Sequence, residues 1–218
     1  MIEFSNDLHL QPAGTVDPTR LKLVGAAAGL AFVVCLLPPL VMAQQGQFVA
    51  KPLVEKKVTE LPSGDLHWRI DTFASKEQAE QAAGPLSLVA ETQGKTLLFT
   101  VGRAAETARG GTKVAEIGPI PRITAKEYLL RVNEAGGPEG SATNPHTHPG
   151  SEAFYVISGE LTQKSPHGTL KFTAGQGTAG HGGDTPMIVS NSGSGELREF
   201  ALFVVDANRP FNSPAKMD

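Results

Sequence analysis

Glycine and proline residues divide most of this chain into short segments, and this feature constrains the fold most. The 218 residues include 24 glycines and 16 prolines, a composition that favours turns over long helices. The short β-rich stretches between the turns are 66–73, 86–91, 96–101, 126–133, 153–158, 169–173, 187–190 and 198–205. Their spacing is typical of a β-sandwich or β-barrel.

One helix is expected among these strands. Ser75 and Gln78 have the spacing of a capping box, and residues 76–83 favour helix. Gly84 and Pro85 then end it. Farther along, Gln93 and Gly94 are suited to the turn of a hairpin.

The N-terminal segment 1–43 predicts targeting rather than a folded domain. A polar region ends at Arg20 and Lys22, and an uncharged run follows from 23 to 43. A helix of that length could cross a hydrocarbon layer of about 30 Å. The small residue Ala43 could instead end a signal peptide. Both alternatives, a cleaved signal peptide and a retained membrane anchor, predict a periplasmic, secreted or membrane-anchored domain outside the cytoplasm.

The remaining chain is expected to contain one main domain. Residues 44–57 are predicted to be a linker, and 58–125 a β-rich N-terminal extension. Residues 126–206 are predicted to form the barrel, and the polar tail 207–218 is expected to fray.

Charge and cysteine content exclude several classes of partner and site. The chain has 19 Lys and Arg against 22 Asp and Glu, a formal charge of −3, so it has no basic surface typical of nucleic-acid binding. The single cysteine, Cys35, lies in the apolar N-terminal run. A metal ion in the folded domain would therefore need His, carboxylate or carbonyl ligands.

The stretch 140–159 contains residues suited to such an ion. His146 and His148 are two positions apart, so on a strand both side chains leave the same face. Pro149 and Gly150 turn the chain, and Glu152 begins the next strand. Two imidazoles and one carboxylate on one side of an ion form a facial triad that leaves positions open for water or substrate.

This stretch resembles the first motif of the cupin family, G-x5-H-x-H-x3-4-E-x6-G. Gly140, His146, His148, Glu152 and Gly159 fill its fixed positions. The resemblance implies a double-stranded β-helix barrel over about residues 126–206. It also implies that His146, His148 and Glu152 bind one divalent metal ion, such as Fe, Mn, Zn, Ni or Cu.

The second cupin motif, G-x5-P-x-G-x2-H-x3-N, is only partly present. Alignment on Asn191 puts Met187 where the family has a further metal-binding histidine. Met187 is interpreted as core packing, although a thioether is also a ligand for soft ions such as Cu(I). His181, in the glycine-rich loop before it, is a candidate catalytic acid or base, or a replacement ligand; the alternative is an exposed loop histidine.

Strand alternation predicts a small-molecule pocket beside the metal ligands. Phe154 and Val156 share a face with Glu152, and Met187 and Asn191 share a face of another strand. These four apolar or polar side chains are the predicted substrate pocket.

Two functions are compatible with these residues. The first is a metal-dependent enzyme, with a dioxygenase-like oxidoreductase favoured over an isomerase because a facial triad suits iron and oxygen. The second is a non-catalytic barrel that binds or senses a small molecule through a degenerate metal site. The expected partners are a small-molecule ligand, the membrane if the N-terminal segment is retained, and a second copy of the chain in a homodimer.

Overall fold

The computed structural model describes residues 46–106 and 108–217. The predicted targeting segment and apolar N-terminal helix of residues 1–43 lie outside these described residues. Within the described ranges, no helix combines the length and apolar character needed to cross a membrane.

Fourteen strands and one helix make up the described part of the chain. In chain order they are β1 (Val49–Val58), β2 (His67–Phe73), α1 (Lys76–Ala82), β3 (Ser87–Thr92), β4 (Lys95–Gly102), β5 (Thr112–Ile117), β6 (Tyr128–Gly137), β7 (His146–Thr147), β8 (Gly150–Ser158), β9 (Glu160–Ser165), β10 (Gly168–Thr173), β11 (Gly177–His181), β12 (Ile188–Asn191), β13 (Leu197–Asp206) and β14 (Ser213–Pro214).

The barrel is built from antiparallel sheets that face each other. One sheet has five strands in the order β1-β6-β13-β8-β11, and the opposing sheet has three in the order β10-β9-β12. β7 and β14 form a two-stranded sheet at one end. Side chains of β8 and β13 pack inside against Leu161 of β9 and Val189 of β12. The all-β, double-stranded β-helix prediction is thereby confirmed.

The central strand β13 is buried on both faces, which explains its continuous apolar sequence. Its odd-numbered residues, such as Ala201 and Phe203, point into the barrel. Its even-numbered residues, such as Phe200 and Leu202, pack against a second sheet of order β3-β4-β2-β5. The N-terminal β-rich region therefore covers the outer face of the barrel sheet.

The predicted helix and hairpin are both present in this N-terminal region. The Ser75 hydroxyl accepts a hydrogen bond from the Gln78 amide at 3.3 Å, which caps α1. Gln93 and Gly94 connect β3 to β4. Ala79 is buried and packs with Phe73 and Leu98, so the helix packs against the sheet.

Two predictions at the ends of the domain are wrong. The predicted linker 44–57 is largely strand β1, which pairs with β6 along its length. The predicted fraying tail 207–218 contains β14, which pairs with β7. Many residues of β1 are exposed, because it is an edge strand, so the apolar alternation that signals a half-buried strand is absent.

The two glycines of the motif occupy turns that favour glycine. Gly140 has a φ of 75° and Gly159 a φ of 82°, values at which other residues are strained. Gly159 connects β8 to β9 and so carries the chain from one sheet of the barrel to the other.

The double-sided burial of β13 predicts a large stability loss from one outer-face substitution. Phe200 meets Phe99 edge to face, with ring centroids 5.1 Å apart. Phe200→Ala should lower the free energy of unfolding by about 3–5 kcal/mol, measured by urea denaturation. Leu170→Ala, at a side chain that is 47% exposed, is the control and should change it by less than about 0.5 kcal/mol. Equal small losses would contradict the packing described.

Candidate metal centre

The three predicted ligands meet inside the barrel. His146 lies on β7, His148 follows it, and Glu152 lies on β8. Their side chains are 8%, 5% and 4% exposed. One ligand atom from each lies within 4.8 Å of the others, and within the described ranges this is the only such group of three His, Cys, Asp or Glu residues. We refer to these three residues as the metal centre.

Backbone carbonyls orient both imidazoles. His146 Nδ1 lies 2.8 Å from the carbonyl oxygen of Asn144, and His148 Nδ1 lies 2.6 Å from that of Phe211. A carbonyl oxygen only accepts hydrogen bonds, so each Nδ1 carries the proton and donates it. With the proton on Nδ1, the Nε2 of each ring is left to provide the lone pair that binds a metal ion.

The strand β7 is held in place from two sides. His146 and Met187 exchange backbone hydrogen bonds of 3.1 and 2.9 Å. On its other side, β7 pairs with β14, whose register places Pro214 opposite His146. A segment of only two residues is thereby fixed by contacts with both neighbours.

The C-terminal tail contributes to the packing and hydrogen bonding of His148. The His148 ring packs between Phe203 and Phe211, with both centroid distances 4.8 Å. The Arg131 guanidinium lies 4.2 Å from the centroid of Phe211 and also donates a hydrogen bond to Glu55. The tail predicted to fray is therefore ordered, because Phe211 provides both a packing surface and a hydrogen-bond acceptor for this imidazole.

Burial shifts the pKa values of the metal centre away from their solution values. It lowers the pKa of His148 to about 4 despite the opposing hydrogen bond to Phe211, so this ring is neutral at pH 7. Burial also raises the pKa of Glu152 from its usual 4.5 to about 8. Both shifts have the same cause, because a low-dielectric site disfavours a charge on either group.

The donor set fits a divalent metal ion. Glu152 Oε2 is buried, makes no hydrogen bond within the described part of the chain, and lies 3.8 Å from His148 Nε2. An uncompensated carboxylate oxygen facing two imidazole lone pairs is suited to a shared cation. Metal bonds of about 2.1 Å would require these ligand atoms, which lie within 4.8 Å of one another, to move closer together.

A cavity of about 620 Å³ opens beside the metal centre, within the usual range for small-molecule sites. It is lined by all three predicted ligands and by Phe154. Val156, Met187 and Asn191, the other predicted pocket residues, are buried but do not line this cavity.

Packing and turn formation explain these three exceptions. Val156 and Met187 belong to the apolar core between the two barrel sheets, and Gln163 donates a hydrogen bond to the Met187 sulfur at 3.6 Å. Asn191 donates to the carbonyl oxygens of Gly137 and Gly195. Met187 therefore packs in the core, as interpreted from the sequence. Asn191 connects the end of β6 to the turn at Gly195 by hydrogen bonds.

His181 lies outside the metal centre. Its backbone pairs with Glu152 across β11 and β8, but its ring packs against His167, with centroids 5.2 Å apart. Burial, together with the neighbouring His167, lowers its pKa. The geometry does not support His181 as a fourth metal ligand, and a catalytic role for His181 stays a prediction.

The similarities of this chain to the solved structures named here cover less than half of its length. A scan against protein-family models finds no match, and a search of curated protein sequences finds none either. Structural neighbours include a cupin domain from Bordetella pertussis Tohama I, at 20% identity and a TM-score of 0.30, over 34% of this chain and 80% of that one. A Klebsiella pneumoniae protein with a double-stranded β-helix domain has 21% identity and a TM-score of 0.34, over 40% of this chain and 71% of that one.

A third neighbour is a DMSP lyase from Ruegeria pomeroyi, with 16% identity and a TM-score of 0.35 over 39% of this chain. The match spans 42% of that protein's length.

The facing sheets of this chain, with the histidine and glutamate motif on β7 and β8, decide the fold. It is the double-stranded β-helix of the cupins.

Sequence reasoning missed two polar residues inside this barrel. Glu199 on β13 and Asn133 on β6 are buried and line the same cavity. Burial raises the pKa of Glu199 well above its usual value, and the nearby Glu152 carboxylate raises it further. A charged residue within a strand as apolar as β13 was the available signal, but without the facing of that strand it could not be assigned to the interior.

The contacts of His148 with Phe211 predict that the C-terminal tail controls metal affinity. Deletion of residues 207–218 removes the Phe211 carbonyl and ring, so zinc affinity should fall by about 10- to 100-fold, measured by competition with a fluorescent chelator. Deletion of residues 216–218 leaves Phe211 and β14 intact and should have no such effect. Equal affinity in both deletions would contradict the role assigned to the tail.

The raised pKa of Glu152 predicts a pH dependence with a defined sign. Since its pKa is about 8 in the folded chain against 4.5 unfolded, this group destabilises the metal-free protein as pH rises through that range. A bound cation reverses this loss of stability, because it binds the ionised form of the Glu152 carboxyl group. The rise in Tm on adding zinc should therefore be larger at pH 8 than at pH 6, by differential scanning calorimetry. A pH-independent rise would contradict this assignment.

Proposed function

We propose that this chain binds one divalent transition-metal ion through His146, His148 and Glu152 and acts on a small organic molecule in the adjoining cavity. The observation that carries the proposal is the set of two buried imidazoles, fixed by carbonyl oxygens, facing a buried carboxylate oxygen that has no hydrogen-bond partner among the described residues. Such an arrangement is costly in the absence of a ligand, since the carboxylate is desolvated without compensation.

The chain's own residues would position and enclose the substrate. Phe154 and Phe203 provide apolar walls beside the metal centre, which exclude water and strengthen local electrostatic interactions. The carbonyl-bound imidazoles keep their orientation throughout, so the ligand geometry is preorganised. When bound, the ion would supply Lewis-acid or oxygen-activating chemistry.

We further propose a dioxygenase-like oxidoreductase as the reaction class. Three protein ligands leave up to three positions of an octahedral ion free, and the core position of Met187 supports the absence of a fourth. A facial site with open positions is typical of non-haem Fe(II) oxygenases. A barrel that only binds its ligand is the competing function, and the experiment below separates the two.

The proposed location is outside the cytoplasm. It is supported by the uncharged run 23–43 that follows Arg20 and Lys22. Residues 1–43 are either a cleaved signal peptide or a retained anchor, and homodimer formation also stays a prediction.

Metal content tests the proposal directly. Full-length protein from metal-replete growth should hold about one transition-metal ion per chain by elemental mass spectrometry. The double variant His146→Ala/His148→Ala should hold less than about a tenth of that, because two of the three ligands are lost. His167→Ala, which changes an exposed histidine outside the metal centre, is the matched control and should retain the ion.

The identity of the ion and oxygen consumption then separate the candidate functions. Bound iron, with oxygen uptake stimulated by a small-molecule substrate, supports the oxidoreductase. Bound ion without turnover of any screened substrate would favour the binding barrel. A folded full-length chain without metal would overturn the proposed function.

A further inference from the structure

A second buried carboxylate shares the cavity with the metal centre. Glu199 on β13 is 1% exposed, and its Oε2 has no hydrogen-bond partner within the described residues. It lines the cavity but is not one of the three grouped ligands. The metal centre as described gives this residue no role.

The register of β13 separates Glu199 from the metal centre along the barrel. Phe203 lies opposite Glu152 on β8, and Glu199 lies opposite Val156. Four residues of strand correspond to about 13 Å between backbone positions. The two residues therefore enter the cavity from different levels of the backbone, with Ala201 between them on the β13 wall, while their carboxylates stay close enough to interact electrostatically.

Asn133 adds a second unpaired acceptor near Glu199. On the neighbouring strand β6, Asn133 pairs with Ala201, and Ala135 pairs with Glu199. The two polar residues are thus diagonal neighbours, at a distance that long side chains can bridge. Asn133 is 5% exposed, lines the cavity, and has an Oδ1 without a partner within the described residues.

Both unpaired atoms are oxygens, and this limits the ligand that would satisfy them. A buried acceptor without a donor costs about 1–3 kcal/mol. A hydroxyl or ammonium group would supply the missing donors. A terminal methyl group would leave them unsatisfied, and a terminal carboxylate would offer Asn133 Oδ1 no donor.

We infer that Glu199 and Asn133 form a second recognition point for the substrate, which accepts hydrogen bonds from its hydroxyl or ammonium group. The substrate class is a short molecule with metal-binding oxygens at one end and this donor at the other. The inference rests on the proposed function, because the metal centre is taken to hold the first end. Small alanine side chains at 135 and 201 leave room for the substrate beside the two polar residues.

Short hydroxamic acids of matched chain length provide the test. Their hydroxamate binds the metal ion, and their far ends carry hydroxyl, ammonium, methyl or carboxylate. Affinities for zinc-loaded full-length protein are measured by isothermal titration calorimetry. The hydroxyl or ammonium probe should bind at least about tenfold more tightly than the methyl probe, and which of the two is tighter identifies the donor.

Variants separate recognition from a general effect on the fold. Glu199→Met should abolish the preference while leaving affinity for the methyl probe unchanged or higher. Glu199→Gln keeps the shape of the side chain and replaces the apolar variant if that variant does not fold. It should weaken the preference. Glu196→Gln, at an exposed carboxylate three positions away, is the control and should retain the full preference.

The possible failures are distinguishable. Equal affinities for all four ends, or a preference for carboxylate, would overturn the inference while leaving the metal centre intact. A preference that survives in Glu199→Met would do the same. A full-length chain that takes up no zinc would overturn the proposed function and this inference with it.

Discussion

The central constraint of this structure is the burial of one sheet on both faces. Strands β6, β13 and β8 send alternate side chains into the barrel and toward the N-terminal sheet. The outer packing, including the contact of Phe200 with Phe99, fixes the sheet without using its inner face. Apolar contacts inside the barrel add to this burial, and other positions of the inner face carry the polar residues of the cavity.

The cavity contains buried polar atoms that have no hydrogen-bond partner within the described residues. The His148 ring is held by a carbonyl oxygen and two aromatic rings, whereas oxygens of Glu152 and Glu199 lack partners within the described residues. Lone pairs on imidazole nitrogens and carboxylate oxygens are thus in excess around one cavity. Such an imbalance is unfavourable for folding alone and is expected where a ligand completes the network.

Local patterns predicted much of this architecture, and distant contacts account for what they missed. The spacing of His146, His148 and Glu152 was sufficient for the metal centre, because a turn brings two short segments together. The capping residues of α1 were equally local. Strand β1 was predicted as a linker because it is an exposed edge, and the tail depends on β7, more than 60 residues away. Glu199 required knowledge of which face of β13 turns inward.

Anomalous diffraction from crystals of the zinc-loaded protein tests the central claim most directly. The account predicts one strong peak bonded to Nε2 of His146, Nε2 of His148 and a carboxylate oxygen of Glu152, with bonds of about 2.1 Å. A peak bound instead between His167 and His181, or no peak inside the barrel, would contradict it.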